Sequence, residues 1–380
     1  MLICLALSAL VGVSAAGGAE IDSLFAPLTD AHSPGLAVLV RQNGRTVFAR
    51  GYGLRRLQSL AKIDAKIDAK TDFRLASFTK QFTATAAMLL VHDGKLRYDQ
   101  RLTDIFPDFP AYGQAITVRH LLTHTSGLPD YEDLMDQTWT PTHQIQDEEV
   151  LSLLKRQASP KFAAGSSWAY SNSGYVLLGL IVAKVSGEPF GQFLRDRIFK
   201  PLRMSDTLAY VNGQNTVPNR AYGHSKKADQ FVETDQSPTS ATLGDGGVYS
   251  NLDDLAKWDA ALQNHLLLSK EEMTVALTPA KLRDGSEPRW PTSPDEDNLA
   301  PGKPVSYGFG WFLDPFEGHP RMWHTGSTLG FRTVIERFTE EKLTIVILCN
   351  RTDLDPSQLA LRAAQVFLSR RTDRRNGRME

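Results

Sequence analysis

The sequence predicts an α/β protein: an antiparallel sheet flanked by helices, built from both ends of the chain, with an all-helical subdomain inserted between them. Three observations lead there. Near the start, apolar residues 36–40 and 46–49 flank Asn43-Gly44, a pair that tolerates the positive φ angles of a two-residue hairpin turn. Near the end, residues 307–312, 321–323, 333–338 and 343–348 are short apolar or alternating runs separated by turns. Between these groups the apolar residues recur mostly at three- and four-residue spacing, the period of helices. The sheet part is expected over about 20–75 and 305–369 and the helical part over about 76–304, in one domain spanning 17–369.

Taken in order, residues 1–16 are Leu-rich and end in small residues, with Val13-Ser14-Ala15 as a cleavage site, and read as a secretory signal peptide. That places the mature chain in the periplasm or outside the cell. The apolar run is too short to make a stable membrane span. Residues 21–32 carry spaced apolar positions and read as a helix. The tetrapeptide at Lys62 repeats at once at Lys66, a local duplication in a surface loop rather than a repeat architecture. From Ser77, the residues Phe78, Phe82, Ala86, Leu89 and Leu90 follow helical spacing, and Gly94 stops the run. Further helices are expected at 118–126, 147–157, 174–186, 190–199, 252–266 and 357–368. Asn251 precedes one of them as an N-cap. Residues 207–245 read as an excursion over the surface and 283–304 as a loop. Residues 370–380 read as a basic, disordered tail.

Composition narrows the function. The 380 residues carry 42 Lys+Arg against 43 Asp+Glu, and a net charge of −1 gives nucleic acid nothing to bind. The two cysteines, Cys4 and Cys349, cannot build a disulfide framework or a cysteine metal site, and Cys349 sits in an apolar strand as inert core. No His-Glu-x-x-His and no Gly-x-Ser-x-Gly occurs, so a zinc peptidase and an α/β-hydrolase elbow find no support.

What remains is nucleophilic catalysis from Ser77-Phe78-Thr79-Lys80. A serine hydroxyl needs a neighbouring base, and a lysine one helical turn on lies on the same face. The helix N-terminus also offers the Ser77 N–H to a developing oxyanion. Ser-x-x-Lys recurs at Ser59 and Ser152, in a polar stretch and on a surface helix, so Ser77 needs partners to stand out. Tyr170-Ser171-Asn172 supplies two: a hydroxyl to pass a proton to the leaving group, and an amide to hold both a substrate carbonyl and the lysine. His324-Thr325-Gly326-Ser327 supplies a strand of small residues along which a substrate backbone can lie, and the Ser327 N–H as a second oxyanion donor. His324 is placed to meet a substrate carboxylate. His120 and His124, four apart, have no third ligand nearby and read as packing or capping groups.

These three motifs, in this order, resemble the penicillin-recognising serine enzymes, and within them the class C β-lactamases, D-Ala-D-Ala carboxypeptidases and β-lactamase-like esterases. The likeness covers roughly 30–350 and extends to 120–128, 201–204 and 246–250. The resemblance implies a β-lactamase/transpeptidase-like fold with the site between the sheet and helical parts. It implies Ser77 as acylated nucleophile, Lys80 as general base and Tyr170 as its partner and proton donor. Asn172, His324, Thr325 and Gly326 would bind substrate, and the N–H groups of Ser77 and Ser327 would form the oxyanion hole. No metal or organic cofactor is required. His324 stands where class C β-lactamases carry lysine, which weakens any fixed cation for a β-lactam carboxylate. The expected function is hydrolysis of a small-molecule or peptide amide or ester (a β-lactam, a D-amino-acid peptide or a small carboxylic ester) through a Ser77 acyl-enzyme. The alternative is a penicillin-binding receptor or scaffold that is acylated without efficient turnover. The oligomeric state is not readable.

Overall fold

The computed structural model describes residues 8–30, 32–57, 66–293 and 299–376. Strands β1 (Leu36–Gln42) and β2 (Arg45–Tyr52) form the expected hairpin. Asn43 and Gly44 both take left-handed φ angles, 51° and 77°, as a primed two-residue turn requires. Three short strands, β3 (Phe73–Arg74), β4 (Leu208–Ala209) and, further on, β7 (Val248–Ser250), make a small second sheet in the order β3-β7-β4. Strands β5 (His224–Lys227) and β6 (Gln230–Glu233) pair with each other. The chain then returns to the main sheet through β8 (Arg321–Thr328), β9 (Phe331–Phe338) and β10 (Leu343–Cys349).

The main sheet is antiparallel, five-stranded and ordered β2-β1-β10-β9-β8. The first strand of the chain therefore pairs with the last, Leu36 opposite Cys349 and Val40 opposite Ile345. Side chains alternate faces along each strand. Leu36, Val38, Val40, Ile345 and Ile347 pack with Ile21 and Phe25 of the helix Ser8–Phe25 and with Leu359 and Ala363 of the helix Pro356–Asn376. Ala37, Leu39, Val346 and Leu348 face the main core, which contains Phe73, Phe78 and Phe82. Cys349 is fully buried, and burial pushes its thiol up to about 12, so it is inert core as expected.

Several expectations change. Residues 307–312 do not form a strand. They fold into a tight turn through Gly310 (φ 78°), with single bridges from Phe312 to Tyr307 and Trp323, and Gly308 leaves room for the Ala276 carbonyl, which would lie 2.1 Å from a Cβ there. The stretch 207–245 is more than surface: Ala209, Ala221, His224, Thr242 and Asp245 are buried. Trp290, in the stretch read as a loop, packs into a cluster with Trp168, Tyr307 and Phe312. The helix expected at 21–32 begins at Ser8 and ends at Phe25, and the last helix continues to Asn376, through residues read as a disordered tail. Residues 1–7, 58–65 and 377–380, with most of the signal-peptide core and part of the duplication, lie outside the described residues.

The helix Leu252–Gln263, capped by Asn251 as expected, is tied to the sheet by one carboxylate. Asp259 accepts hydrogen bonds from Arg41 of β1 and Arg337 of β9, both at 2.8 Å, and from Thr344 of β10 at 2.6 Å. Burial alone would raise the Asp259 carboxyl, but Arg337, Thr344 and Arg41 hold it below the usual range. Asp259→Ala strands two nearly buried guanidinium groups and is expected to cost about 3–5 kcal/mol, read from the urea midpoint at constant m.

Candidate active site

Ser77, the expected nucleophile, sits where β3 gives way to helix. Ala76 takes a left-handed φ of 50°, which turns the chain sharply, and residues Ala76–Thr79 form a 3-10 turn ahead of the helix Lys80–His92. Ser77 is thus on the tight turn preceding the helix, rather than in the position of a simple N-terminal cap. Lys80 begins the helix proper and is fully buried. Its Nζ lies 3.0 Å from Ser77 Oγ, 2.8 Å from Asn172 Oδ1 and 3.1 Å from the Asp245 carbonyl. The same nitrogen is 4.8 Å from the centre of the Tyr170 ring.

Asn172 is free for this contact because it does not cap its helix. Ser171 does so, its Oγ accepting the Gly174 N–H at 3.1 Å, and Asn172 is the first helical residue. The other end of its amide points to Glu132, at 3.4 Å. The cleft over the serine has a volume of about 560 Å³ and is lined by Ser77, Tyr170, Asn172 and Ser327, with Trp168 and Trp290 as an aromatic wall and Pro291 beside them. Asp130, Glu132 and Asp133 add acidic groups, and Lys161 and Arg332 basic ones. Lys161 pairs with Asp133 at 2.9 Å, and Arg332 donates to the carbonyls of Thr328 and Phe331.

The three other residues expected to bind substrate are placed differently. Gly326 faces inward: a Cβ there would lie 2.0 Å from the Leu75 carbonyl and 2.3 Å from Thr333 Oγ1. The glycine lets β8 pack against the serine turn. Thr325 is half-buried beside it. His324 is 1 % exposed and lies behind the cleft lining. Its Nδ1 donates to the Thr325 carbonyl at 2.6 Å and its Nε2 accepts from the Tyr307 hydroxyl at 3.1 Å. A neutral imidazole satisfies both bonds. Burial and the nearby Lys80 push its pKa down to about 3. Both ring nitrogens are engaged inside the fold, a different task from the expected substrate-carboxylate contact.

The remaining Ser-x-x-Lys motifs do not compete. Lys155 pairs with Asp108 at 2.5 Å on the helix Asp147–Lys155, and Ser59 lies outside the described residues. His120 caps its helix through Thr117, and His124 is buried against Tyr170. Sequence reasoning missed the Asp245 carbonyl, Tyr307 and the Trp168–Trp290 wall. No periodicity marks a carbonyl, and the two tryptophans are 122 positions apart in the chain.

An antiparallel sheet backed by helices, with a buried lysine under a serine on the turn in front of it, defines a β-lactamase/transpeptidase-like protein. The chain belongs to the Beta-lactamase family, whose model matches residues 21–368, and so to a group of serine hydrolases of this fold. It is 30% identical over 365 residues to penicillin-binding protein 4* of Bacillus subtilis (strain 168), covering 92% of this chain and 75% of that protein. Among solved structures, D-amino acid amidase from Ochrobactrum anthropi SV3, complexed with L-phenylalanine amide, superposes with a TM-score of 0.73 at 26% identity, covering 92% of this chain and 99% of that one. The octameric penicillin-binding protein homologue from Pyrococcus abyssi gives 0.71 at 25% identity, covering 94% and 77%. Among the described residues, no helix is long and apolar enough to cross a membrane.

Proposed function

We propose that this chain is a serine hydrolase that forms an acyl ester on Ser77 and acts on small carboxylic esters and D-amino-acid amides, with β-lactams acylating it and leaving slowly. The observation that carries the reading is the buried Lys80 Nζ at 3.0 Å from Ser77 Oγ, under an open cleft. With two N–H bonds directed to Asn172 and Asp245, an amine at Lys80 turns its lone pair toward Ser77. Ser77 Oγ attacks the substrate carbonyl carbon as its proton passes to Lys80. The Ser77 and Ser327 N–H groups take the oxyanion, a pair in which each donor contributes about 3–4 kcal/mol. The tetrahedral species collapses with loss of the C–O or C–N bond, and Tyr170 gives the leaving atom its proton, to be reprotonated from Lys80. Water then cleaves the ester.

The leaving-group preference rests on charge. The neutral, internally bonded His324 supplies no fixed cation for the carboxylate of a penicillin or of a C-terminal residue. The likeness to a D-amino acid amidase supports the same direction. Export remains part of the proposal. Ile21 and Phe25 of the helix Ser8–Phe25 pack into the sheet's outer core and lie beyond a cleavage point near Ala16. N-terminal sequencing of protein secreted by its host would read a start near Gly17, and an intact Met1 would remove this point.

The test is intact mass and product formation after exposure to benzylpenicillin, a short-chain ester and D-phenylalanine amide, with Ser77→Ala as control. We expect Ser77-dependent turnover of ester or amide and a single penicillin adduct that persists. Rapid loss of penicillin over unmodified protein would make the chain a β-lactamase instead. A persistent adduct with no turnover of either neutral substrate would favour the receptor, the reading that the likeness to penicillin-binding protein 4* supports. Acidity gives a second check. Because His324 titrates near 3 when folded and about 6.5 when unfolded, the unfolded chain binds more protons between those values. Its contribution to stability is complete above about 6.5 and is lost as pH falls toward 3, while kcat/KM shows no His324 inflection between about pH 5 and 8.

A further inference from the structure

We propose that His124 is a positioning residue that aims the Tyr170 hydroxyl at the leaving group, an inference that rests on the acyl-enzyme reading with Tyr170 as proton donor. His124 brackets Tyr170 on three sides. Its carbonyl accepts the Ala169 N–H at 3.0 Å, and its Nδ1 accepts the Ser171 N–H at 3.1 Å. Its ring lies 4.4 Å, centre to centre, from the Tyr170 ring. The peptide N–H groups on the two neighbours of Tyr170 therefore both end on one residue.

The backbone makes this possible. His124 has a left-handed φ of 59° just past the helix Val118–Leu122. Such a conformation is uncommon for a residue with a side chain and persists where the surroundings over-determine it. It is the same residue whose carbonyl and imidazole both reach the Tyr170 loop. The ring itself is held by Tyr307 at 4.6 Å, Tyr175 at 5.1 Å and Trp168 at 5.7 Å, and the residue is 1 % exposed.

Packing alone does not explain a histidine. A phenylalanine would fill the same space, whereas the imidazole brings a buried Nε2 that has no hydrogen-bond partner among the described residues. An unpaired buried polar atom is a cost that a purely structural position would avoid. The compensating asset is the Nδ1 acceptor, which exists only while the ring is unprotonated at that atom. The groups facing it (Lys80, His324, Tyr170, Tyr175 and Tyr307) include no carboxylate, and burial, Lys80 and His324 together push its pKa well down. The acceptor is thus present throughout the working pH range. The phenolic oxygen of Tyr170 is a full side-chain length from the backbone these bonds fix, so small backbone shifts are magnified at the proton that must be delivered.

A leaving-group comparison separates positioning from general support. Ethyl butyrate and p-nitrophenyl butyrate share an acyl group, but only the first leaves as an alkoxide that needs a proton. His124→Phe keeps a ring and removes the acceptor. It is expected to lower kcat/KM for ethyl butyrate by about 10²-fold and for p-nitrophenyl butyrate by less than about 3-fold. His124→Asn offers an acceptor near the Nδ1 position and tolerates the left-handed backbone, and should recover most of the ethyl butyrate rate. In a Tyr170→Phe background, His124→Phe should cost nothing further, since its effect runs through that hydroxyl. Equal losses on both esters, or an undiminished loss in the Tyr170→Phe background, would overturn the proposal. Should His124→Phe not fold, His124→Gln, which carries its polar atoms away from Ser171, meets the same two-ester criterion. If the native chain shows no Ser77-dependent turnover of either ester, the hydrolase reading fails and this inference with it. If Tyr170→Phe shows no leaving-group dependence, the donor role of Tyr170 is what fails.

Discussion

Ser77→Ala should abolish hydrolysis of every substrate, and Lys80→Met should lower kcat/KM by about 10³–10⁴-fold with the fold retained. The two losses have different causes. Without Ser77 Oγ there is no atom to carry the acyl group, so the intact-mass adduct with penicillin disappears along with turnover. Without the Lys80 amine the hydroxyl remains but nothing takes its proton, so a slow adduct can still form. Methionine is the right probe at residue 80, because the side chain is fully buried and an alanine would leave a cavity as well as remove the base. Asn172→Ala should then be milder than either, since Ser77 and the Asp245 carbonyl still hold the lysine. Hydrolysis that survives in purified Ser77→Ala protein would remove the active-site assignment altogether.

Gly326→Ala is expected to cost about 10²-fold or more in kcat/KM, and about 1–3 kcal/mol of stability, from a single methyl group. The new Cβ would sit 2.0 Å from the Leu75 carbonyl and 2.3 Å from Thr333 Oγ1. The first obstacle is main chain and cannot rotate away. Thr333 itself donates to that same carbonyl at 2.8 Å, so it too is pinned. Relief requires β8 to move off the serine turn, and Leu75 is only two residues before Ser77. Such a shift changes the distance between the N–H groups of Ser77 and Ser327, which is the quantity an oxyanion hole depends on. Steady-state kinetics together with thermal unfolding check the prediction. Native activity in the Gly326→Ala protein would show that β8 and the serine turn move together without consequence.

Much of the candidate site is legible in the sequence, for a physical reason. Ser77 and Lys80 are one helical turn apart, so their proximity is a local property, written in a three-residue spacing. The same holds for the Asn43-Gly44 turn, the Asn251 cap and the apolar runs of β1 and β10, each governed by a few neighbouring residues. The order of the three motifs was enough to point to the family, and the apolar runs at both ends of the chain anticipated a sheet closed by both termini. The amphipathic pattern around Ser152 was enough to discount it as a surface helix, and its lysine goes to Asp108.

Contacts between distant segments were decided elsewhere. Asp245 meets Lys80 through a carbonyl that every residue possesses, so no side-chain signal announces it across 165 positions. His324 looked like a substrate contact because its sequence neighbours do. Its burial beside Tyr307 depends on a turn at 307–312 that reads in sequence as a strand. His124 reads as a packing residue until its backbone angle and its two bonds around Tyr170 are seen. The amino-acid sequence by itself determined the Ser77–Lys80 pairing, the motif order and the closing of the sheet, because each follows from short-range spacing or from apolar runs bounded by turns. The tertiary structure alone decided which groups are desolvated and which backbone atoms face them, because burial and carbonyl direction are properties of packed segments that the chain brings together only on folding.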